Sequence, residues 1–194
     1  MLNRVIAKTL NMLSGKKKKT AVLCGMRIPK DYFITTGKGE SDITIHAGSY
    51  HLALKDAGIE RCNIMTYSSI MPAIATEVPK GRLIHGAVME TIMAVAHSKK
   101  GEPATAGIIY GWLYNKITGM RYGGLVCEHN GNFEMDELKK KLHSSLRELY
   151  ENGFSEEYTL EDIQTITETF TPKKKHGTAL AAICFTNYVF PIVN

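Results

Sequence analysis

From about Met135 to Glu151 the chain places Leu138, Leu142, Leu146 and Leu149 on one helical stripe, with lysines and glutamates between them. The pattern predicts an amphipathic helix with an apolar face to cover, and Asn152-Gly153 supplies its stop. The chain around this helix favours strands. Ala106 to Tyr114 and Tyr122 to Glu128 predict a hairpin turning near Thr118-Gly119, and Gln164 to Phe170 and Thr178 to Phe190 predict two later strands. Tyr32 to Thr36 predicts a short strand ended by a glycine-rich turn, Gly37-Lys38-Gly39. Ser49 to Asp56 predicts a short helix stopped by Gly58, and Cys62 to Tyr67 a buried strand. Val88, Ile92 and Val95 recur at helical spacing and predict a helix from about Ala87 to His97. The order is roughly β, α, β, α, β, β, α, β, β. It indicates an α+β fold, a mixed or antiparallel sheet with helices packed on it. No glycine-rich phosphate loop of the form used by doubly wound parallel folds is present.

A length of 194 residues predicts one domain, over 20–194, preceded by a basic extension over 1–19. Composition is that of a soluble globular protein, with 44% hydrophobic and 22% charged residues, and no apolar run reaches bilayer length. The apolar residues of the first nineteen positions are broken by Arg4, Lys8 and Asn11 and lead to no small-residue cleavage site, so export is not expected. Cys24, Cys62, Cys127 and Cys184 are far apart and match no metal-ligand spacing; three of them sit inside apolar runs, where a thiol packs as a small hydrophobe, which favours a reducing cytoplasm over a disulfide framework. Seven of the 24 basic residues lie in Lys16 to Lys19 and Lys173 to Lys175, leaving 17 against 19 acidic residues elsewhere. No stacking aromatics accompany those runs, so they read as a solvated tail and loop rather than a nucleic-acid or membrane surface. His46, His85, His97, His129, His143 and His176 form no metal-ligand cluster by spacing.

One short stretch stands apart. Ser68-Ser69 closes an apolar, β-prone run and is followed by Ile70-Met71-Pro72. By spacing alone this is a polar strand-to-loop turn, and no G-x-S-x-G or other serine-hydrolase signature surrounds it.

The stretch Asn63-Ile64-Met65-Thr66-Tyr67-Ser68-Ser69-Ile70-Met71-Pro72 resembles the self-processing site of pyruvoyl-dependent arginine decarboxylases. Ala53-Leu54, Ala57-Gly58-Ile59, Gly124-Leu125-Val126-Cys127-Glu128 and Gly153-Phe154 also look like that family, so the similarity spans most of residues 30 to 190. The resemblance implies an αββα sandwich of sheets and helices, assembled as a homotrimer with active sites between neighbours. It implies that the Ser69 hydroxyl attacks the Ser68 carbonyl and that elimination then releases residues 1–68. Hydrolysis leaves a pyruvoyl ketone on residues 69–194. Asn63 matches the donor to the oxyanion of that attack, and Glu128 the acid that later protonates the substrate carbanion. The ketone would capture the α-amine of an amino acid and accept the electrons left by CO₂, with no added PLP and no metal. Arginine would give agmatine and consume a proton, a reaction suited to acid tolerance or polyamine supply.

One position departs from the family. Where an aspartate is expected to hold the substrate guanidinium, the chain has His51, in Tyr50-His51-Leu52-Ala53-Leu54. Glu40 and Asp42 are the nearby candidates to replace it, and as plain residues they read as solvated loop charges. Two further readings stay open: the same chemistry on histidine, lysine, ornithine or aspartate, and a relative that keeps the fold without cutting itself.

Overall fold

The computed structural model describes residues 24–192, so the extension expected over 1–19 lies outside the described residues. Residues 28–189 form one compact unit. The described ends, 24–27 and 190–192, belong to a second, in which Gly25 N–H donates to Pro191 O at 2.7 Å.

Within the main unit the elements follow as β1 (Ile28–Pro29), β2 (Asp31–Ser41), a π-helical turn (Ile45–Tyr50) leading into α1 (His51–Asp56), β3 (Asn63–Thr66), β4 (Ile70–Pro72) and β5 (Thr76–Glu77). Then come β6 (Val88–Lys99), β7 (Ala104–Asn115), β8 (Arg121–Gly131), α2 (Met135–Gly153), β9 (Tyr158–Phe170), β10 (His176–Phe185) and β11 (Tyr188–Val189). One sheet has the order β3-β6-β10-β2-β5, a second β4-β8-β7-β9, and β1 pairs with β11. The five-stranded sheet is mixed: β10 runs antiparallel to β2 and β6, whereas β3 and β5 lie parallel to β6 and β2. The four-stranded sheet is antiparallel throughout.

The two sheets share the largest core. Ile92, Ala94, Ala96, Ala179, Ala181, Ile183 and Phe185 of one meet Ala104, Ala106, Ile108, Tyr110, Trp112 and Val126 of the other. The outer face of the five-stranded sheet is covered by Ala53, Leu54 and Ala57. That of the four-stranded sheet is covered by the leucine stripe of α2, where Leu138, Leu142 and Leu146 lie on Ile109, Leu113 and Leu125. The layers therefore run helix, sheet, sheet, helix, an α+β sandwich. Each buried leucine or isoleucine contributes about 1.5–3 kcal/mol through lost water contact.

Three sequence expectations are corrected. Gly37-Lys38-Gly39 is no turn, because β2 runs straight through it to Ser41. These glycines let the helical segment lie against the strand: a Cβ on Gly37 would sit 2.2 Å from Ala53 O, and one on Gly39 2.4 Å from Ser49 O. Gly37→Ala is accordingly expected to destabilise the fold by about 1–3 kcal/mol, read as a lower urea midpoint, since backbone blocks the added methyl. The segment 87–97 is not a helix but most of β6. Val88 and Ile92 are four apart, which keeps them on one face of a strand as well as of a helix, while Val95 turns to the opposite face and packs under α1. Finally, β3 is not buried. It is an edge strand with Asn63, Met65 and Thr66 exposed, because β6 covers only one of its sides.

Candidate active site

Ser68 and Ser69 sit where the chain crosses from one sheet to the other. β3 belongs to the five-stranded sheet and β4 to the four-stranded one, so the link between them has to turn within a few residues. Tyr67 extends the β3 ladder, its N–H donating to Thr91 O at 2.7 Å, and its ring packs 5.8 Å from that of Phe185. Ile70 N–H then donates to Ser68 O at 2.8 Å, closing a three-residue turn with Ser69 at its apex. Beyond the turn β4 pairs with β8, and Val126 N–H donates to Ser69 O at 3.1 Å, which carries that pairing back to the serine. Arg121 fastens the chain after β4. Its guanidinium donates to Ala73 O at 2.8 Å and Ala75 O at 2.9 Å while stacking 4.2 Å over Trp112.

The Ser69 hydroxyl points at a carboxylate. Its Oγ lies 2.8 Å from Oε1 and 2.7 Å from Oε2 of Glu128, and both residues are half-buried. Glu128 is carried by β8 two residues beyond Val126, so the strand that fixes the Ser69 carbonyl also delivers the acid to its side chain. A hydroxyl donating to a carboxylate can pass its proton there as the oxygen attacks an acyl carbon. The neighbouring Ser68 carbonyl is such a carbon.

The other residues singled out from sequence lie elsewhere on the chain. Asn63 stands at the start of β3, five extended residues before Ser68, or about 16 Å at the strand rise. Its Nδ2 donates to Gly86 O at 2.9 Å. Glu40 and Asp42 accept from the turn that carries the second lysine run: Glu40 Oε2 from Lys173 N at 2.7 Å and Lys174 N at 3.2 Å, Asp42 Oδ1 from Lys175 N at 3.1 Å. His51 is exposed on α1, next to the backbone that overlies Gly39.

Register places these groups at opposite ends of one sheet. His176 of β10 pairs with Ser41 and Lys99, beside Glu40 and Asp42, whereas Cys184 pairs with Thr91, whose carbonyl holds Tyr67. From Thr91 to Lys99 is about 26 Å of strand. The far end also holds a cavity of about 580 Å³ bordered by Asp42, His97, Glu102, Asn132 and His176. There His97 Nδ1 and Ser49 Oγ each lie 2.9 Å from Thr178 Oγ1, and burial, with His46 nearby, holds His97 below the usual histidine range.

Two of the thiols behave as packing groups, while Cys24 is exposed. Burial pushes Cys127 up to about 11 and Cys184 up to about 12, where a thiolate is scarce at neutral pH. Among the described residues no cluster of three or more His, Cys, Asp or Glu could hold a metal ion. Among them too, no helix is long and apolar enough to cross a membrane. What sequence reasoning missed at the serine corner is backbone: the N–H groups of Ile70 and Val126 carry no residue-type signal and become visible only through the turn and the ladder.

The sequence model of one family, pyruvoyl-dependent arginine decarboxylase, matches residues 31–190. Proteins of that name are similar to the chain in several organisms. One from Methanopyrus kandleri is 26% identical over 161 residues, covering 82% of this chain and 99% of its own. One from Methanocaldococcus jannaschii is 29% identical, covering 80% and 89%. A relative from Chlamydia abortus is 30% identical, covering 84% of this chain and 94% of its own.

Proposed function

This chain belongs to the pyruvoyl-dependent arginine decarboxylase family, and on that premise we propose that it cuts itself between Ser68 and Ser69 and decarboxylates arginine to agmatine and CO₂. The observation that carries this reading is the Ser69 hydroxyl lying 2.7–2.8 Å from both oxygens of Glu128, next to the Ser68 carbonyl. The residues present fit the group the family name implies, since Ser69 is fixed at its carbonyl by Val126 N–H and at its side chain by Glu128.

The roles divide as follows. Ser69 Oγ is the nucleophile of self-cleavage, and the Ser68 carbonyl is its target. Glu128 takes the hydroxyl proton and later holds the proton that the decarboxylated substrate needs. Once formed from Ser69, the pyruvoyl group supplies a ketone for the substrate's α-amine and an acceptor for the electrons left by CO₂, the service PLP gives other decarboxylases. Val126 N–H orients the carbonyl next to that ketone. Asn63, whose backbone and side chain anchor the start of β3, sets the register of the strand leading into the serine pair.

Substrate recognition falls to His51, Glu40 and Asp42. They lie at the far end of the sheet from Ser69, far beyond the reach of one amino acid, which supports an assembly in which a neighbouring copy brings its far end to the serine corner. A homotrimer of cleaved protomers, each with the sandwich fold of the family and a single catalytic domain over 20–194, fits this. The active form then consists of residues 1–68 and 69–194, works in the cytoplasm on a small amino acid, and uses neither PLP nor metal. His51 in place of a carboxylate makes arginine dependent on Glu40 or Asp42 for its guanidinium.

Intact mass spectrometry of denatured, freshly purified protein tests the reading. The expected result is two fragments, 1–68 and 69–194, the second lighter than its hydrolytic mass by one ammonia. A panel of arginine, lysine, ornithine, histidine and aspartate, followed by CO₂ release, then fixes the substrate. A single full-length mass after long incubation would sink the proposal.

A further inference from the structure

We infer that the backbone N–H of Ile70 is the donor that receives the negative charge on the Ser68 carbonyl oxygen during self-cleavage, an inference that rests on the scission proposed above. When Ser69 Oγ adds to the Ser68 carbon, the carbonyl electron pair moves onto oxygen. An oxyanion of this kind needs a donor already in place at roughly 2.7–3.1 Å. Ile70 N–H lies 2.8 Å from Ser68 O. Asn63, the side chain that residue type would suggest, donates instead to Gly86 O.

The geometry that puts Ile70 there is held from three sides. β4 pairs Ile70 with Leu125 on β8, which fixes the chain after the turn. Val126 N–H holds Ser69 O, which fixes the peptide plane that contains the Ile70 nitrogen. Tyr67 N–H on Thr91 O fixes the strand before the turn. Nucleophile, base and donor are thus tied to one carbonyl: Ser69 Oγ on the next residue, the Glu128 carboxylate hydrogen-bonded to it, and Ile70 N–H on the carbonyl oxygen.

The step balances within the chain. The Ser69 Oγ–Ser68 carbon bond forms as the hydroxyl proton passes to Glu128, and the carbonyl π pair goes to oxygen, where Ile70 N–H meets it. That pair then returns, the bond from Ser68 carbon to Ser69 nitrogen breaks, and the nitrogen takes the proton back from Glu128. The products are an ester and a free amine. A hydrogen bond to a charged oxygen is about twice as strong as one to a neutral carbonyl, so the donor favours the transition state over the resting turn.

Water is the competing donor, because Ser68 is exposed. The deciding variant carries the α-hydroxy acid analogue of isoleucine at position 70, which replaces N–H by oxygen and keeps the side chain. Time-resolved intact mass should show scission slowed on the order of 10²–10³-fold, the usual cost of one oxyanion donor. A folded variant that cuts at about the parental rate overturns the inference and assigns the charge to water. Should the variant fail to fold, hydrogen exchange on the uncut Ser69→Ala chain decides: the Ile70 amide should be protected although the residue is 58% exposed, and rapid exchange there overturns the inference. A parental chain that never cuts removes the scission reading too, whereas a cutting parent with an indifferent variant removes only the role of Ile70.

Discussion

Replacing Ser69 with alanine is expected to leave one full-length chain and no measurable CO₂ release from any amino acid. The effect is total because Ser69 Oγ serves twice, first as the nucleophile of scission and then, as the ester oxygen, as the leaving group whose elimination opens the way to the ketone. Little else is lost. Ser69 is half-buried, and of its contacts to β8 alanine keeps the carbonyl's bond from Val126 N–H and loses the hydroxyl's bond to Glu128. The variant should therefore match the parent in far-ultraviolet circular dichroism while its mass spectrum shows a single species. Scission in Ser69→Ala would assign the nucleophile to another residue.

Glu128→Gln carries the second-largest effect. The carboxamide has nearly the same shape and still meets the Ser69 hydroxyl, so the turn keeps its place. It cannot accept the proton that the hydroxyl must lose, and removing a general base of this kind slows a reaction roughly 10²–10⁴-fold. The half-time of conversion to two fragments, followed by mass, should lengthen by that factor, and CO₂ release from the fraction that is cut should fall as well. Scission at the parental rate would leave Glu128 with no part in self-processing. A loss confined to CO₂ release would give it the later proton transfer alone.

Much of the fold is legible in the sequence where a pattern is long. The four leucines of α2 and the hairpin of β7 and β8 are each set by ten or more residues, and they lie where the pattern puts them. Short signals mislead for identifiable reasons. Glycine marks both tight turns and places where backbones touch, and Gly37 and Gly39 belong to the second kind. A spacing of four residues is common to a helix face and a strand face, so Val88 and Ile92 could not separate β6 from a helix. The two-residue and three-residue strands β1, β4, β5 and β11 are defined by their partners rather than by their own composition.

The candidate site divides along the same line. Ser69 and Glu128 are 59 positions apart, and the resemblance of their two segments to one family is what pairs them on paper; the β4–β8 register brings them together in space. No residue pattern foretells that Glu40 and Asp42 would cap the turn at Lys173 to Lys175, since that contact follows from the β2–β10 register. Backbone donors are silent in any sequence.

The strand order β3-β6-β10-β2-β5 has a consequence for what remains after the cut. β2 and β3 precede residue 68 and β5, β6 and β10 follow it, so the sheet interleaves the two pieces, with β2 clasped on both sides by strands of the other. A chain severed between Ser68 and Ser69 would become two interlaced polypeptides held together by noncovalent contacts. The tether that once kept them at millimolar effective concentration is gone, so a molecule that melts after scission has to find its other half by diffusion. Folding must come first and the cut second. Scission then works as a one-way latch, closing only on a molecule whose sheet is already woven.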